Sequence, residues 1–191
     1  MGRLPPSLLL DAYSQGLFPM ADEESSEIYW FSPDPRAIIP LDGLKISRSL
    51  RAVLSGNKFE TTFDRAFEAV IEACSDRTST WISDEISAAY IKLHKLGYAH
   101  SVECWHDGNL AGGLYGVSIG GAFFGESMFH RVSNASKVAL VALVEYLNDH
   151  DFQMLDIQFL TPHLETLGAI EIPRPRYLKM LKSAVYNESK W

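Results

Sequence analysis

The spacing of apolar residues changes along the chain from a helical period to a period of two, and this change most constrains the fold. Apolar side chains recur three and four residues apart in residues 64–74 and 83–96, which predicts two amphipathic helices. From residue 99 to 119 they alternate, and Asp107-Gly108 and Gly120-Gly121 mark tight turns on either side of the second strand. Helices followed by an antiparallel meander predict an α+β protein.

The segments on either side of this region complete the prediction. Residues 136–148 are apolar nearly all round, which predicts a helix capped by Ser133 or Asn134 and buried against the sheet. A further strand is expected over residues 153–160 and a last helix over 177–184. Residues 1–57 are rich in Pro and Gly and predict a small N-terminal domain of short elements, with a helix near residues 7–15 that begins at a Ser7 cap and ends at Gly16. Residues 58–191 then form the main domain.

Charge is unevenly distributed in the 191-residue chain. The net charge of −7 argues against a protein that binds polyanions through a generally basic surface. Bases are nevertheless concentrated in residues 36–58 and 174–182, whereas acids dominate residues 11–34 and 145–156. Such blocks are typical either of ordinary solvated faces or of two separate binding surfaces of opposite sign.

The apolar run near the start is shorter than that of a signal peptide, and no apolar run is long enough to span a membrane, so we expect a cytoplasmic protein. Cys74 and Cys104 fall inside predicted elements, which disfavours a disulfide and favours a reducing compartment. The six histidines lack the spacing of metal ligands, so no metal site is expected.

Common catalytic signatures are absent. Residues 125–129, Gly-Glu-Ser-Met-Phe, begin like a nucleophile elbow but carry Phe where that motif needs its second Gly. Glu126 lies in this apolar run, where an ionised carboxylate needs a cationic or hydrogen-bonding partner. Asp156 and Gln158 alternate with apolar residues and therefore share one strand face, which lines a cavity or faces solvent.

Several short segments then occur in a specific order. They are Gln15–Pro19, Trp30–Arg36, Thr80–Ile82, Gly113–Val117, Gly125–Phe129, Asn134–Lys137, Asp156–Gln158, Leu167–Ala169 and Ile172–Arg174. Each is weak alone, but the ordered set resembles the leucyl/phenylalanyl-tRNA–protein transferases from about residue 8 to residue 180.

This resemblance implies a fold and a reaction. The fold is similar to that of the GCN5-related N-acetyltransferases, a mixed and mainly antiparallel sheet with packed helices, preceded by a small N-terminal domain. The reaction moves Leu or Phe, and in some cases Met, from aminoacyl-tRNA to the α-amino group of proteins that begin with Arg or Lys, which marks them for N-end-rule degradation. No cofactor is expected, because the acetyl-CoA pyrophosphate loop is not visible before the helix at Asn134.

The resemblance also implies site residues. Asp156, Gln158 and Glu126 are the expected catalytic group. An apolar pocket for the donor side chain is expected from Leu114, Phe123, Leu143 and Ile157, and stacking on the terminal adenosine from Trp81 and Phe31. The remaining substrate-binding residues are expected to be Ser127, Met128, Phe129 and Asn134.

Two alternatives to this reading stay open. One is a related aminoacyl- or acyltransferase with a different donor or acceptor. The other is a module that binds basic N-termini without catalysing transfer.

Overall fold

The structure is a computed structural model in which residues 4–189 and 191 are described. The helices are α1 (Pro6–Ser14), α2 (Arg48–Ser55), α3 (Phe67–Ser75), α4 (Asp84–Lys95), α5 (Ala135–Asp149), α6 (Pro162–Thr166) and α7 (Arg174–Val185). The strands are β1 (Phe18–Ala21), β2 (Ile28–Phe31), β3 (Arg36–Ile39), β4 (Glu60–Phe63), β5 (Ala99–His106), β6 (Asn109–Ile119), β7 (Ala122–His130), β8 (Met154–Gln158) and β9 (Ile170–Ile172).

Seven strands form one sheet in the order β4-β5-β6-β7-β8-β3-β9, and β1 pairs with β2 in a separate hairpin. Only the β7–β8 pair is parallel among the described strands. The α+β class and the mixed, mainly antiparallel sheet with packed helices are therefore confirmed.

The predicted meander is the centre of this sheet. Strands β5, β6 and β7 follow one another along the chain and pair as neighbours. Asp107 and Gly108 both have positive φ, 50° and 73°, which suits the right-handed twist of a two-residue hairpin. The change to a period of two was thus a sufficient signal for this part of the fold.

Two apolar cores cover the two faces of the sheet. The first lies under α1, α3, α4 and α7. The second lies under α5 and α2. Neighbouring residues of β6 point to opposite cores, Leu114 to the second and Tyr115 to the first, as strand geometry requires. The all-round apolar helix predicted over residues 136–148 is α5, which packs on β5 and β6.

Two predicted helix starts were wrong. Pro5 rather than Ser7 precedes α1, and no side chain caps it. Asn134 precedes α5, one of the two positions predicted, but its side chain makes no capping hydrogen bond. Helix α3 begins at Phe67 rather than residue 64, because Asp64 has a φ of 56° and its carboxylate accepts the Ser101 N–H at 2.8 Å. By contrast, Ser83 caps α4 as predicted by accepting the Ile86 N–H.

Strand β3 lies within residues 1–57 but pairs with β8 and β9 in the large sheet. The sheet therefore includes residues from both predicted domains, and the division at residue 57 stays a prediction. Both cysteines are free and buried. Within residues 4–189 and 191, no helix has the length and apolarity needed to cross a membrane.

Candidate functional site

The candidate site lies where β7 and β8 part. Their parallel pairing joins Ala122–Phe124 to Met154–Asp156, after which β7 continues to His130. Strand β8 ends at Gln158, whose φ of 58° is in the left-handed region. This conformation is uncommon for a residue other than Gly and is found preferentially at functional sites. It ends β8 earlier than predicted and directs the Gln158 side chain toward Glu126.

Asp156 lies at the base of this opening and is fully buried. Arg36 donates two hydrogen bonds to it, from Nε to Oδ1 at 2.9 Å and from Nη2 to Oδ2 at 2.6 Å. The Tyr177 hydroxyl donates to Oδ2 at 2.8 Å, and the Gln158 backbone N–H donates to Oδ1 at 2.9 Å. Because four donors engage its two oxygens, the geometry favours a positioning role for Asp156 over proton uptake.

Arg36 was not predicted as a site residue, although it is the last residue of Trp30–Arg36, one of the segments on which the family resemblance rests. Its guanidinium lies between the Phe18 and Tyr177 rings, 4.7 and 4.6 Å from their centroids, and donates to the Gly16 carbonyl oxygen at 3.1 Å. Burial alone lowers the pKa of Arg36, but the hydrogen bonds and the charge of Asp156 outweigh it and raise that pKa. The Arg36 guanidinium therefore remains protonated in the folded protein.

Glu126 has hydrogen-bonding partners rather than a cationic one. Tyr13 Oη donates to Oε1 at 2.7 Å, and Tyr90 Oη donates to Oε2 at 3.0 Å. Gln158 Nε2 completes the group at 3.4 Å from Oε1. Burial raises the pKa of Glu126 to about 7, against the opposing effect of the tyrosine hydrogen bonds. The carboxyl group can therefore gain or lose a proton near neutral pH.

The two tyrosines come from α1 and α4, far from β7 in sequence, and their hydroxyl groups also contact each other. No motif in the sequence marks Tyr13 or Tyr90. Their only signal is their position on the buried faces of two amphipathic helices, where a polar hydroxyl needs a partner.

An apolar cavity of about 90 Å³ opens beside Glu126 and Gln158, and we call it the apolar pocket. The predicted residues Leu114, Leu143 and Ile157 line it, as do Ser127 and Met128. Additional lining residues that were not predicted are Leu140, Leu155 and Leu164. The prediction was wrong for Phe123, which packs in the second core with its ring 5.3 Å from that of Trp191. It points to the same side of the sheet as the pocket residues Leu114, Leu140 and Leu155, but its ring packs against Trp191 and does not line the pocket.

A second cavity of about 300 Å³ adjoins the first, and we call it the aromatic pocket. Trp81 lines it as predicted, together with Phe18 and Phe159, which were not predicted. Phe31 lies instead on the hairpin strand β2, stacked on Phe18 at a centroid distance of 6.0 Å. Phe31 does not line the aromatic pocket itself but supports its wall through Phe18, and because its ring is 38% exposed, its stacking on the terminal adenosine stays a prediction.

The last two predicted residues lie apart from the carboxylate centre. Phe129 is nearly buried and lines a third cavity, at the far end of β7. Asn134 has a φ of 71°, and its backbone oxygen accepts the Val138 N–H at 2.9 Å at the start of α5. The geometry gives Asn134 a role in the turn before the helix and does not bring it to Glu126 or Gln158.

Comparison with known proteins gives matches over almost the whole chain. The sequence model of the leucyl/phenylalanyl-tRNA protein transferase family matches residues 38–182, and the model of that family's N-terminal domain matches residues 2–34. Among curated relatives, the leucyl/phenylalanyl-tRNA–protein transferase of Gloeobacter violaceus is 55% identical over 182 residues, covering 95% of this chain and 94% of that protein. The transferase of Salinibacter ruber is 53% identical over 188 residues, covering 98% of this chain and 83% of that protein.

Among solved structures, L-PGS from Bacillus licheniformis matches with a TM-score of 0.51 and 10% identity, covering 80% of this chain and 65% of that chain. A GCN5-related N-acetyltransferase from Kribbella flavida matches with a TM-score of 0.46 and 11% identity, covering 87% of this chain and 60% of that chain. The first of these supports the fold alone. With both family models matched and relatives more than 50% identical over 83% and 94% of their own length, the chain belongs to the leucyl/phenylalanyl-tRNA–protein transferase family.

Proposed function

We propose that this protein transfers Leu or Phe, and in some cases Met, from aminoacyl-tRNA to the α-amino group of proteins with an N-terminal Arg or Lys. The observation that carries the proposal is family membership over both matched segments. The adjacent pockets supply what the reaction needs, an apolar space for the donor side chain and polar groups beside it. The product feeds N-end-rule degradation, and the place of action is the cytoplasm.

The chemistry needs no covalent enzyme intermediate. The nitrogen of the acceptor amine attacks the ester carbonyl carbon, the new amide bond forms, and the ribose oxygen leaves with a proton. An α-amine has a pKa of roughly 7.7–8.0, so freeing its lone pair at neutral pH costs about 1–1.4 kcal/mol. Correct positioning of amine and ester contributes far more, up to about 7–11 kcal/mol in well-oriented systems. The site therefore acts mainly by orientation.

Gln158 is suited to hold the acceptor amine. Its amide nitrogen is directed toward Glu126, which leaves its carbonyl oxygen as the acceptor for an N–H of the amine. A neutral amide is a weak base, so we assign Gln158 the role of orienting the amine. Asp156 fixes Gln158 by accepting its backbone N–H and therefore acts through it as a positioning residue.

Glu126 gives the acceptor side of the site its negative charge. A carboxyl group with a pKa of about 7 is partly ionised at neutral pH, and a bound cation favours the ionised form. The positively charged N-terminus of an Arg- or Lys-initiated protein supplies that cation. Glu126 is also the group in this site best matched in pKa to accept a proton from the α-amine.

The donor occupies the two pockets in this scheme. Its Leu or Phe side chain enters the apolar pocket, and its terminal adenosine stacks in the aromatic pocket against Trp81, Phe18 or Phe159. One methylene in an apolar pocket is worth only about 1–3 kcal/mol, so such a site accepts several apolar side chains.

A transfer assay tests the proposal and separates it from its alternatives. The protein is incubated with radiolabelled Leu-tRNA or Phe-tRNA and with otherwise identical peptides that begin with Arg, Lys or Ala. We expect label in the Arg and Lys peptides only. Label transferred from a different donor, or to a different N-terminus, would indicate the related transferase. Binding of the Arg peptide without transfer, beside an active control enzyme, would indicate a non-catalytic module.

A further inference from the structure

A third cavity, of about 430 Å³, adjoins the aromatic pocket, and we call it the cationic pocket. The charged side chains that line it are those of Arg77, Arg131, His130, His163 and the single acid Asp76. The two arginines and the single aspartate give the pocket a net charge of +1. Either histidine, when protonated, makes this net charge more positive. The pocket therefore favours an anion.

The positive potential has an effect within the pocket itself. The pKa of His163 is lowered, first by burial and then by the nearby charges of Lys137 and His130. A histidine surrounded by cations loses its proton more readily, because its own positive charge is repelled. An anion placed among these groups would relieve that repulsion.

Ser136 also lines the cavity. The residue is only 4% exposed, but among the described residues it is the Tyr115 hydroxyl, not that of Ser136, that is buried without a partner. The Ser136 hydroxyl is therefore still accessible from the cavity, where it can donate a hydrogen bond to a ligand oxygen.

The cationic pocket is continuous with the aromatic pocket. Arg77, Met128 and His163 line both cavities. Arg77 is held at this boundary because its guanidinium donates to the Met128 carbonyl oxygen and, at 3.4 Å, to Ser127 Oγ. The apolar pocket shares only Met128 with the cationic pocket, so the aromatic pocket is the main link between them and the order is apolar, aromatic, cationic.

This order matches the covalent order of an aminoacylated RNA end. The amino-acid side chain is joined through the ester to the terminal adenosine, and the adenosine is joined through its 5′-oxygen to a phosphodiester. We propose that the cationic pocket binds this phosphodiester, with Arg131, His163 and Ser136 as its ligands. The inference rests on the proposed function, because that function places the donor in the other two pockets.

The test compares two small donors that differ by the phosphodiester. One is phenylalanyl-adenosine, and the other is the phenylalanyl ester of the dinucleotide cytidylyl-adenosine. For the wild-type protein we expect a lower KM with the dinucleotide donor. We expect Arg131→Gln to raise that KM about tenfold, the worth of one charged hydrogen bond, and to leave the KM for phenylalanyl-adenosine within about twofold.

Two further variants sharpen the comparison. His163→Gln is also expected to raise the KM for the dinucleotide donor and not that for phenylalanyl-adenosine, but by a smaller factor than Arg131→Gln. Lys92→Gln removes an exposed cation from α4 and is the matched control, expected to change neither KM. Equal KM values for the two donors in the wild type, or an equal loss for both donors in Arg131→Gln, would overturn the phosphodiester site.

A binding measurement separates this inference from the transfer activity. Uncharged cytidylyl-adenosine and adenosine are titrated while the intrinsic tryptophan fluorescence is followed, to which Trp81 of the aromatic pocket contributes, with coenzyme A as a third ligand. We expect the dinucleotide to bind more tightly than adenosine and, unlike adenosine, to bind more weakly as the salt concentration is raised, and Arg131→Gln to remove both differences. Tighter binding of coenzyme A, or no preference for the dinucleotide, would contradict the inference whether or not transfer is observed. Failure of transfer with intact dinucleotide preference would count against the proposed function alone.

Discussion

The guanidinium of Arg36 and the carboxylate of Asp156 form a two-bonded ion pair, 120 residues apart in the chain, in which neither side chain is more than 1% exposed. Removing one member of a buried pair leaves the other charge without compensation, at a cost of about 3–5 kcal/mol. We expect Asp156→Ala to lower the free energy of unfolding by that amount in urea denaturation. Its transfer rate should fall more than its tRNA affinity when both are measured under conditions where the variant is folded.

A matched exposed pair is available as the control for this prediction. Arg65 and Glu60 are 3.5 Å apart and about two-thirds exposed, so Glu60→Ala should cost less than about 1 kcal/mol. Replacing both buried partners, as Arg36→Met with Asp156→Leu, should recover part of the lost stability. Equal losses for Glu60→Ala and Asp156→Ala would refute the importance of the buried pair.

The raised pKa of Glu126 predicts a pH-dependent stability. In the folded protein this pKa is about 7, and in the unfolded chain it is about 4.3. The folded state therefore holds the proton more tightly, so the associated stability is present in full below pH 4.3 and is lost as pH rises through 7. The loss is at most about 4 kcal/mol. It is measured by urea denaturation between pH 5 and pH 8.

The comparison for this prediction uses two neutral variants. In Glu126→Gln, the free energy of unfolding should no longer show the part of its pH dependence that comes from this carboxyl group. Glu68→Gln, at a position about two-thirds exposed on α3, should show the same pH dependence of unfolding as the wild type. Identical pH dependence in the wild type and Glu126→Gln would show that Glu126 titrates normally.

Two buried tyrosines beside Glu126 should respond differently to loss of their hydroxyl groups. Tyr90 Oη donates to Glu126, and a hydrogen bond to a charged group contributes about 1.5–3 kcal/mol. Within residues 4–189 and 191, the buried Tyr115 hydroxyl has no hydrogen-bond partner. We expect Tyr90→Phe to lower the thermal midpoint and raise the pKa of Glu126, and Tyr115→Phe to leave stability unchanged or increased. A larger loss for Tyr115→Phe would contradict this assignment.

Enlarging the apolar pocket should change the donor preference. Ile157 lines both the apolar and the aromatic pockets, and Ile157→Ala makes room for a larger side chain. We expect the ratio of kcat/KM for Phe-tRNA to that for Leu-tRNA to rise by about tenfold. Ile91→Ala on α4 removes the same atoms away from the pockets and should leave the ratio unchanged. A shift toward Leu-tRNA would show that the donor side chain lies elsewhere.

Gly116 and Gly125 should tolerate a methyl group very differently. A Cβ at Gly116 would collide with the Phe124 carbonyl oxygen and the Phe123 ring, whereas at Gly125 its nearest neighbour would be 3.5 Å away. We expect Gly116→Ala to cost about 1–3 kcal/mol or more in urea denaturation, because backbone must move. Gly125→Ala should remain close to the wild type, and a comparable loss there would argue against the close packing at Gly116.

The sequence predicts those parts of the fold in which local pattern and tertiary packing agree. Strand β5, strand β6, helix α4 and helix α5 have clear apolar periods, and their bounds differ from the prediction by one or two residues. The short strand β3 has no such signal, because its four buried residues pack on both faces and include Arg36. Its place between β8 and β9 depends on contacts that are distant in sequence.

The candidate site shows the same limit. Asp156, Gln158 and Glu126 could be chosen because polar residues inside apolar strands are conspicuous. Tyr13 and Tyr90 could not, since they look like ordinary core residues of amphipathic helices. Phe123 was misplaced because the resemblance does not show which side chains of the second core line the pocket and which, like Phe123, pack against Trp191 instead.

The surroundings of Arg36 also bear on how the protein folds. One guanidinium touches Gly16 before β1, Asp156 on β8 and Tyr177 on α7, so its charge is compensated only after these separated segments have docked. Forming this contact requires closure of long loops, which costs conformational entropy before the ion pair can stabilise the fold. The N-terminal segment, the sheet and the last helix should therefore open and close as one cooperative unit, and a chain in which any of them is undocked will lack the reaction centre altogether.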